Sequence, residues 1–196
     1  MRAFLAIEIP PEAAGALVEA GRDLSQKASS FRVVHAEAMH GTIAFLGEIG
    51  EDDAEVVTTA VGSALSECDP FVLALGGAGL FPEKGPPRVA WIGALEGAEP
   101  SALLAAKITD SLRDLGLRTE ERAWRFHVTV ARARLDARGA AGFRGAEQWC
   151  RDWANRRCGR PFRVERVVLF ESLLQPHGSR YLVRATLPLR GCAESR

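Results

Sequence analysis

Two near-copies of one short pattern, His40-Gly41-Thr42-Ile43-Ala44 and His127-Val128-Thr129-Val130-Ala131, lie 87 residues apart in a chain of 196. With only 4 histidines and 7 threonines in the chain, such a repeat is expected by chance far less than once. In each copy a β-branched residue and then alanine follow the His-x-Thr. A spacing close to half the chain points to an internal duplication. On a β-strand, residues i and i+2 share a face, so His40 and Thr42 point together, as do His127 and Thr129. Ile43, Val128 and Val130 then point to the opposite, apolar face. The repeat therefore predicts two related lobes, each supplying one such strand to a shared cleft.

The remaining elements fit that frame. Arg2–Ile9 reads as a strand closed by Pro10-Pro11, with a helix from Glu12 to about Ser29. Phe31–Val34 and His40–Leu46 read as strands, and Glu51-Asp52-Asp53 places acid at the start of a helix reaching about Cys68. Phe71–Leu75 and Arg88–Leu95 read as strands on either side of a Gly/Pro-rich loop, Gly76–Pro87. Ser101 is positioned to cap a helix over Ala102–Leu115 that Gly116 ends. Phe126–Ala131 is a strand, and Ala137–Gly159, with Trp149 and Trp153, reads as a loop and a short helix. Phe162–Phe170 and Tyr181–Leu187 close the chain as strands. Several strands follow one another without a helix between them. The expected class is therefore α+β: a bilobal, pseudo-two-fold arrangement of antiparallel sheets flanked by helices, one domain over residues 1–196, with the two His-x-Thr motifs in a central cleft.

No G-x-G-x-x-G or G-x-x-x-x-G-K follows a strand, so dinucleotide and triphosphate sites lack their usual signature. No run approaches the roughly 18 apolar residues of a membrane span, and no signal peptide is recognisable. Cys68, Cys150, Cys158 and Cys192 show no C-x-x-C spacing, which suits free thiols in a cytoplasmic chain. The formal net charge is zero, but residues 1–120 carry a net of −9 and residues 121–196 a net of +9. All 16 basic residues of the later part are arginine. A codon preference for arginine explains their number; their position around the second motif favours a polyanion-facing surface.

Imidazole exchanges protons near neutral pH. Two of them facing one phosphorus suit an in-line displacement, one taking a proton from water and the other protonating the leaving oxygen, with threonine hydroxyls on the non-bridging oxygens. A zinc site built from His35, His40, His127 and His177 is the competing arrangement. The sequence lacks the closely paired ligands of H-x-H or H-E-x-x-H, so no metal is expected.

In these motifs the chain resembles the two-histidine (2H) phosphoesterases, and within them the bacterial RNA 2′,3′-cyclic phosphodiesterases, the LigT-like or 2′-5′ RNA ligase family. Met1–Pro10 resembles the family's opening strand, His40–Gly47 its first H-x-T-x-x-F-L-G and Phe81–Trp91 its F-P…P-R-V-x-W segment. Phe126–Arg132 resembles its second motif, and Val168–Ser172 with Tyr181 its closing strands. Two positions depart: Gly41 stands where the family usually has Leu, and Phe126 where Pro commonly precedes the second histidine. Gly41 is expected to loosen the strand. His35 sits where the family has no fixed histidine and is read as incidental.

The resemblance implies hydrolysis of RNA 2′,3′-cyclic phosphate ends to 2′-phosphomonoesters without cofactor or metal. It implies His40 as proton donor, His127 as proton acceptor, and Thr42 and Thr129 as phosphate-binding groups; from the residues alone the two histidine roles are interchangeable. It also suggests a phosphate or RNA contact for Arg132. Strict alternation opposes this, because Arg132 shares parity with Val128 and Val130 and reaches the cleft only if the strand ends or bulges near Ala131. Phe45 has the same conflict between stacking on a base and a place in the core. Arg88 and the Trp149/Trp153 pair are candidates for an RNA path, against the commoner solvated arginine and core aromatics. The expected partner is RNA with a 2′,3′-cyclic end or a cyclic nucleotide, bound by a monomer away from membranes. Two alternatives remain: a phosphodiesterase of small cyclic nucleotides or 2′-5′ linkages (reversible 2′-5′ ligation), and a non-catalytic nucleotide- or RNA-binding module.

Overall fold

A computed structural model of the chain describes residues 1–119, 124–134, 143–175 and 178–190. In β1 (Arg2–Glu8) the five residues Ala3–Ile7 are all buried, the mark of a strand covered on both faces. Pro11 opens α1 (Pro11–Lys27) at a position where its missing N–H costs nothing. After β2 (Phe31–Val33) and a 3₁₀ turn (Ala36–Ala38) comes β3 (His40–Glu48). The carboxylate of Asp53 accepts the Gly50 N–H at 3.1 Å and so starts α2 (Glu51–Leu65). The chain continues through β4 (Phe71–Phe81), β5 (Val89–Glu96), α3 (Ala98–Asp114), β6 (Val128–Ala133) and α4 (Ala146–Trp153). It closes with β7 (Phe162–Val164), β8 (Arg166–Gln175) and β9 (Gly178–Pro188).

All the strand pairings among the described residues are antiparallel, in the order β7-β4-β5-β6-β3-β1-β8-β9, with β2 beside the outer end of β6. The order is a palindrome in kind. Outward from the β3–β6 junction, β3-β1-β8-β9 mirrors β6-β5-β4-β7. The helices cross between these halves: α1 follows β1 but packs against β6, whereas α3 follows β5 and packs against β3. α2 lies on β9 and α4 on β4. Leu17, Leu24, Ile108, Leu112, Val57 and Val61 are buried from the helix side against Ile7, Ile92 and Val130 of the sheet, forming the main core. The other face of the sheet stays open as a cleft.

Four expectations about elements need correction. β4 runs on through Gly76 and Gly77 to Phe81 rather than ending at Leu75. A register shift between Leu75 and Ala78 absorbs the glycines, Gly77 with φ +71°, and Gly79 is kept bare because the Trp91 ring lies across it. Ser101 does not cap α3; the helix begins at Ala98 after Gly97 (φ +80°), and the Ser101 hydroxyl donates back to the Gly97 carbonyl at 2.6 Å. The apolar run Phe162–Phe170 is two strands broken at Glu165, β7 pairing with β4 and β8 with β1. Trp149 and Trp153 belong to the packing and not to an RNA path: their indole N–H groups donate to the Ala20 carbonyl and the Asp23 carboxylate, both at 2.9 Å, and tie α4 to α1. The start of the segment expected over Ala137–Gly159 lies outside the described residues.

Candidate active site

β3 and β6 meet through one backbone pair among the described residues, Gly41 opposite Val128, and this sets the two His-x-Thr motifs side by side. His40, Thr42, His127 and Thr129 all line the open cleft. Each strand then bulges at the same place in the repeat. On β3, Ala6 pairs with Thr42 and Leu5 with Ala44, so Ile43 is an extra residue. On β6, Trp91 pairs with Thr129 and Ala90 with Ala131, so Val130 is the extra residue. An extra residue inverts the alternation beyond it. The residue five after each histidine therefore turns to the cleft: Phe45, 57% exposed, in one lobe and Arg132 in the other. Simple alternation had favoured the core for Phe45 and kept Arg132 out, and the duplicated bulge overturns both.

The two imidazoles are held alike. His40 Nδ1 lies 3.0 Å from the Ala38 carbonyl, and His127 Nδ1 lies 2.9 Å from the Arg125 carbonyl. A carbonyl can only accept, so each Nδ1 carries its proton. Each Nε2 is then the nitrogen that gains or loses a proton. Their surroundings differ. His40 sits among Phe4 (ring centroids 4.8 Å apart), Tyr181 (5.0 Å, edge-on) and Phe170 (6.3 Å). His127 meets Phe81 edge-on at 5.3 Å and Trp91 at 6.3 Å. Burial in its aromatic box pushes the His40 titration down to about 4; the Ala38 carbonyl opposes this, and the charges of Arg132 and His127 add to it. That Arg132 acts on His40 across the junction agrees with its place in the cleft.

Sequence reasoning missed the aromatic box. Phe4 lies within a run buried on both faces, and Phe170 and Tyr181 come from the far end of the chain, so no local periodicity marks them. It also missed Arg2, Arg32, Arg125 and Arg180, which line the cleft beside Arg132. Arg88 is exposed and is not among the cleft-lining residues; its backbone closes the β4–β5 turn on the Phe81 carbonyl at 2.6 Å. His35 is an exposed rim residue beside the 3₁₀ turn, and His177 lies outside the described residues. No group of three His, Cys, Asp or Glu among the described residues is placed to hold a metal ion. Gly41 and Phe126, the two departures from the family pattern, are neighbours: the Phe126 ring occupies the space beneath Gly41, so the glycine admits a ring rather than loosening the strand.

A model of the LigT-like phosphoesterases matches residues 7–91. The RNA 2′,3′-cyclic phosphodiesterase of Archaeoglobus fulgidus is 33% identical over 136 residues, 68% of this chain and 73% of that one. That of Thermus thermophilus is 30% identical over 198 residues, 97% of this chain and 91% of the other. A crystal structure from Thermus thermophilus superposes with a TM-score of 0.78 at 28% identity, over 98% of this chain and 100% of that one.

Proposed function

The chain belongs to the LigT-like phosphoesterase family, and on that premise we propose that it hydrolyses RNA 2′,3′-cyclic phosphate ends to 2′-phosphomonoesters by proton transfer between two histidines. The observation that carries the reading is the matched pair of imidazoles, each with Nδ1 tied to the carbonyl two residues back and Nε2 left for the cleft. His127 Nε2 takes a proton from water as its oxygen attacks phosphorus. His40 Nε2 donates a proton to O3′ as the P–O3′ bond breaks, leaving a 2′-phosphate and a 3′-hydroxyl. Solvent exchange then returns the proton from His127 to His40. The Thr42 and Thr129 hydroxyls donate to non-bridging oxygens, Arg132 balances the phosphate charge, and the exposed Phe45 ring stacks on the terminal base.

The donor role of His40 depends on the substrate. Its proton is disfavoured in the free protein by burial and by the positive charge of Arg132. The phosphodiester anion, seated between His40 and Arg132, reverses that bias, so His40 gains its acid proton as the substrate binds. Arg2, Arg32, Arg125 and Arg180 extend positive charge along the cleft and favour a polynucleotide over a lone cyclic nucleotide.

One chain supplies both motifs on one continuous sheet, which supports a monomer with residues 1–196 as a single bilobal domain. No described helix is long and apolar enough to cross a membrane, and Cys68, Cys150 and Cys158 are free thiols, which supports a reducing, cytoplasmic setting. The test is to incubate the protein with 2′,3′-cyclic-ended RNA and with 2′,3′-cyclic mononucleotides in EDTA, beside His40→Ala and His127→Ala. The expected result is a 2′-phosphate product on RNA, undiminished by EDTA, with each variant slower by about 10²–10⁴-fold. No turnover of either substrate, turnover of the mononucleotide alone, or loss in EDTA would each overturn it.

A further inference from the structure

A reaction shared between two imidazoles is sensitive to their spacing. Displacement of a reacting group by about 1 Å costs on the order of 10²-fold in rate. Yet the strands carrying His40 and His127 share only the Gly41–Val128 backbone pair among the described residues. Such a seam is thin for the task, and the three residues ahead of His127 reinforce it.

The Trp124 indole N–H donates to the Thr42 carbonyl at 3.1 Å, crossing from the approach to the second motif onto the middle of the first. The Arg125 carbonyl accepts a hydrogen bond from the Nδ1–H of His127. Phe126 is 3% exposed, and its ring fills the place of a side chain at Gly41: a β-carbon built there would lie 2.5 Å from Phe126 Cε2 and 3.0 Å from Cζ. The Trp124 and Phe126 rings brace each other at 6.3 Å, nearly perpendicular. Residues 124–126 thus hold His127 through one backbone group while two of their side chains grip the first motif at Gly41 and Thr42.

We propose that Trp124 and Phe126, closing on Gly41 and the Thr42 carbonyl, form a clasp that sets the spacing between His40 and His127. Both are positioning residues: Phe126 is buried, the Trp124 indole N–H is taken up by the Thr42 carbonyl, and each acts through the strand it holds. The proposal rests on the two-histidine reading of the cleft. It requires Gly41 to be glycine because of the ring beneath it, not because of backbone conformation.

The clasp is tested with Gly41→Ala, Phe126→Leu, the double variant Gly41→Ala/Phe126→Leu, and Trp124→Phe, each assayed on 2′,3′-cyclic-ended RNA and by NMR titration of the imidazole nitrogens. Gly41→Ala pushes a methyl group into the ring, and kcat is expected to fall by about 10²-fold with KM changed by less than about threefold. The smaller leucine makes room, so the double variant is expected to recover to the rate of Phe126→Leu alone. Trp124→Phe keeps a ring, removes the hydrogen bond, and is expected to lower kcat while sparing KM. A wild-type kcat in Gly41→Ala, or a double variant as slow as Gly41→Ala, would overturn the clasp. Should Gly41→Ala fail to fold, Trp124→Phe decides by the same kcat-against-KM criterion.

The titration answers even if the hydrolase reading fails. His40 is held down by burial and in part by the charge of Arg132, which is reached across the seam. Loosening the seam is expected to raise the His40 titration in Gly41→Ala and Trp124→Phe and to bring the double variant back to the value of Phe126→Leu alone. An inactive wild-type protein with these shifts would defeat the hydrolase reading and keep the clasp. An active protein whose His40 titration ignores all four variants would do the reverse.

Discussion

The His40 imidazole gives the fold an acid sensitivity of calculable size. Its titration lies at about 4 in the folded protein. A histidine in an unfolded chain titrates near 6.5. Between these values the unfolded chain binds a proton that the native protein refuses, so the histidine's contribution is complete above about pH 6.5 and is lost as the pH falls toward 4. At pH 4.5 the linkage relation puts the loss at roughly 2.5 kcal/mol, from about 1.36 kcal/mol per unit of displacement. His40→Gln keeps a polar side chain of similar size and cannot take up the proton. Urea unfolding of both proteins at pH 7 and pH 4.5 isolates the effect, since the carboxylates titrate in both and cancel in the difference. The wild-type protein is expected to lose about 2.5 kcal/mol more than the variant. Equal losses in the two proteins, or an NMR titration of His40 near 6.5, would refute the claim that burial among Phe4, Phe170 and Tyr181 keeps this imidazole neutral.

Arg132→Gln removes one of the charges that lower His40, so the His40 titration should rise; loss of a charged hydrogen bond of about 1.5–3 kcal/mol should cut kcat/KM by roughly 10–100-fold. NMR titration and steady-state kinetics on cyclic-ended RNA read the two effects. Phe45→Ala should raise KM with little change in kcat, by an amount matching the roughly 1–3 kcal/mol of base stacking, as measured on the same RNA. Trp149→Phe removes the bond to the Ala20 carbonyl, far from the cleft; urea unfolding should show a loss of about 1 kcal/mol while kcat stays as in the wild-type protein.

The repeated motif carried most of what the sequence could tell. Two His-x-Thr strands in one chain implied a two-lobed antiparallel arrangement, and the strand order has that symmetry. Of Leu103, Leu104, Ile108, Leu112 and Leu115, whose spacing marks α3 in the sequence, Leu104, Ile108 and Leu112 are buried on one face, whereas Leu103 and Leu115 are exposed. What alternation could not carry was the bulge. Ile43 and Val130 look like ordinary strand residues, and only their cross-strand partners reveal that each is supernumerary. Phe45 and Arg132 were therefore suspected on resemblance and opposed on parity. The extent of β4 is hidden for a related reason: glycines at 76, 77 and 79 resemble a loop, and only the Trp91 ring of β5 lying across Gly79 shows why the backbone there is bare. The same holds for Gly41, whose lack of a side chain has meaning only with Phe126 in place. Arg88 belongs to the Phe81–Trp91 segment that resembles the family, yet it stands just ahead of β5 and is not among the cleft-lining residues, which no local pattern reveals.

The central claim is that two imidazoles of opposite protonation share one reaction, and the pH dependence of kcat on 2′,3′-cyclic-ended RNA tests it most directly. The expected profile is bell-shaped, with one limb for the neutral histidine and one for the protonated histidine, and a single remaining limb in each of His40→Gln and His127→Gln. A profile flat from pH 5 to pH 9 would contradict it.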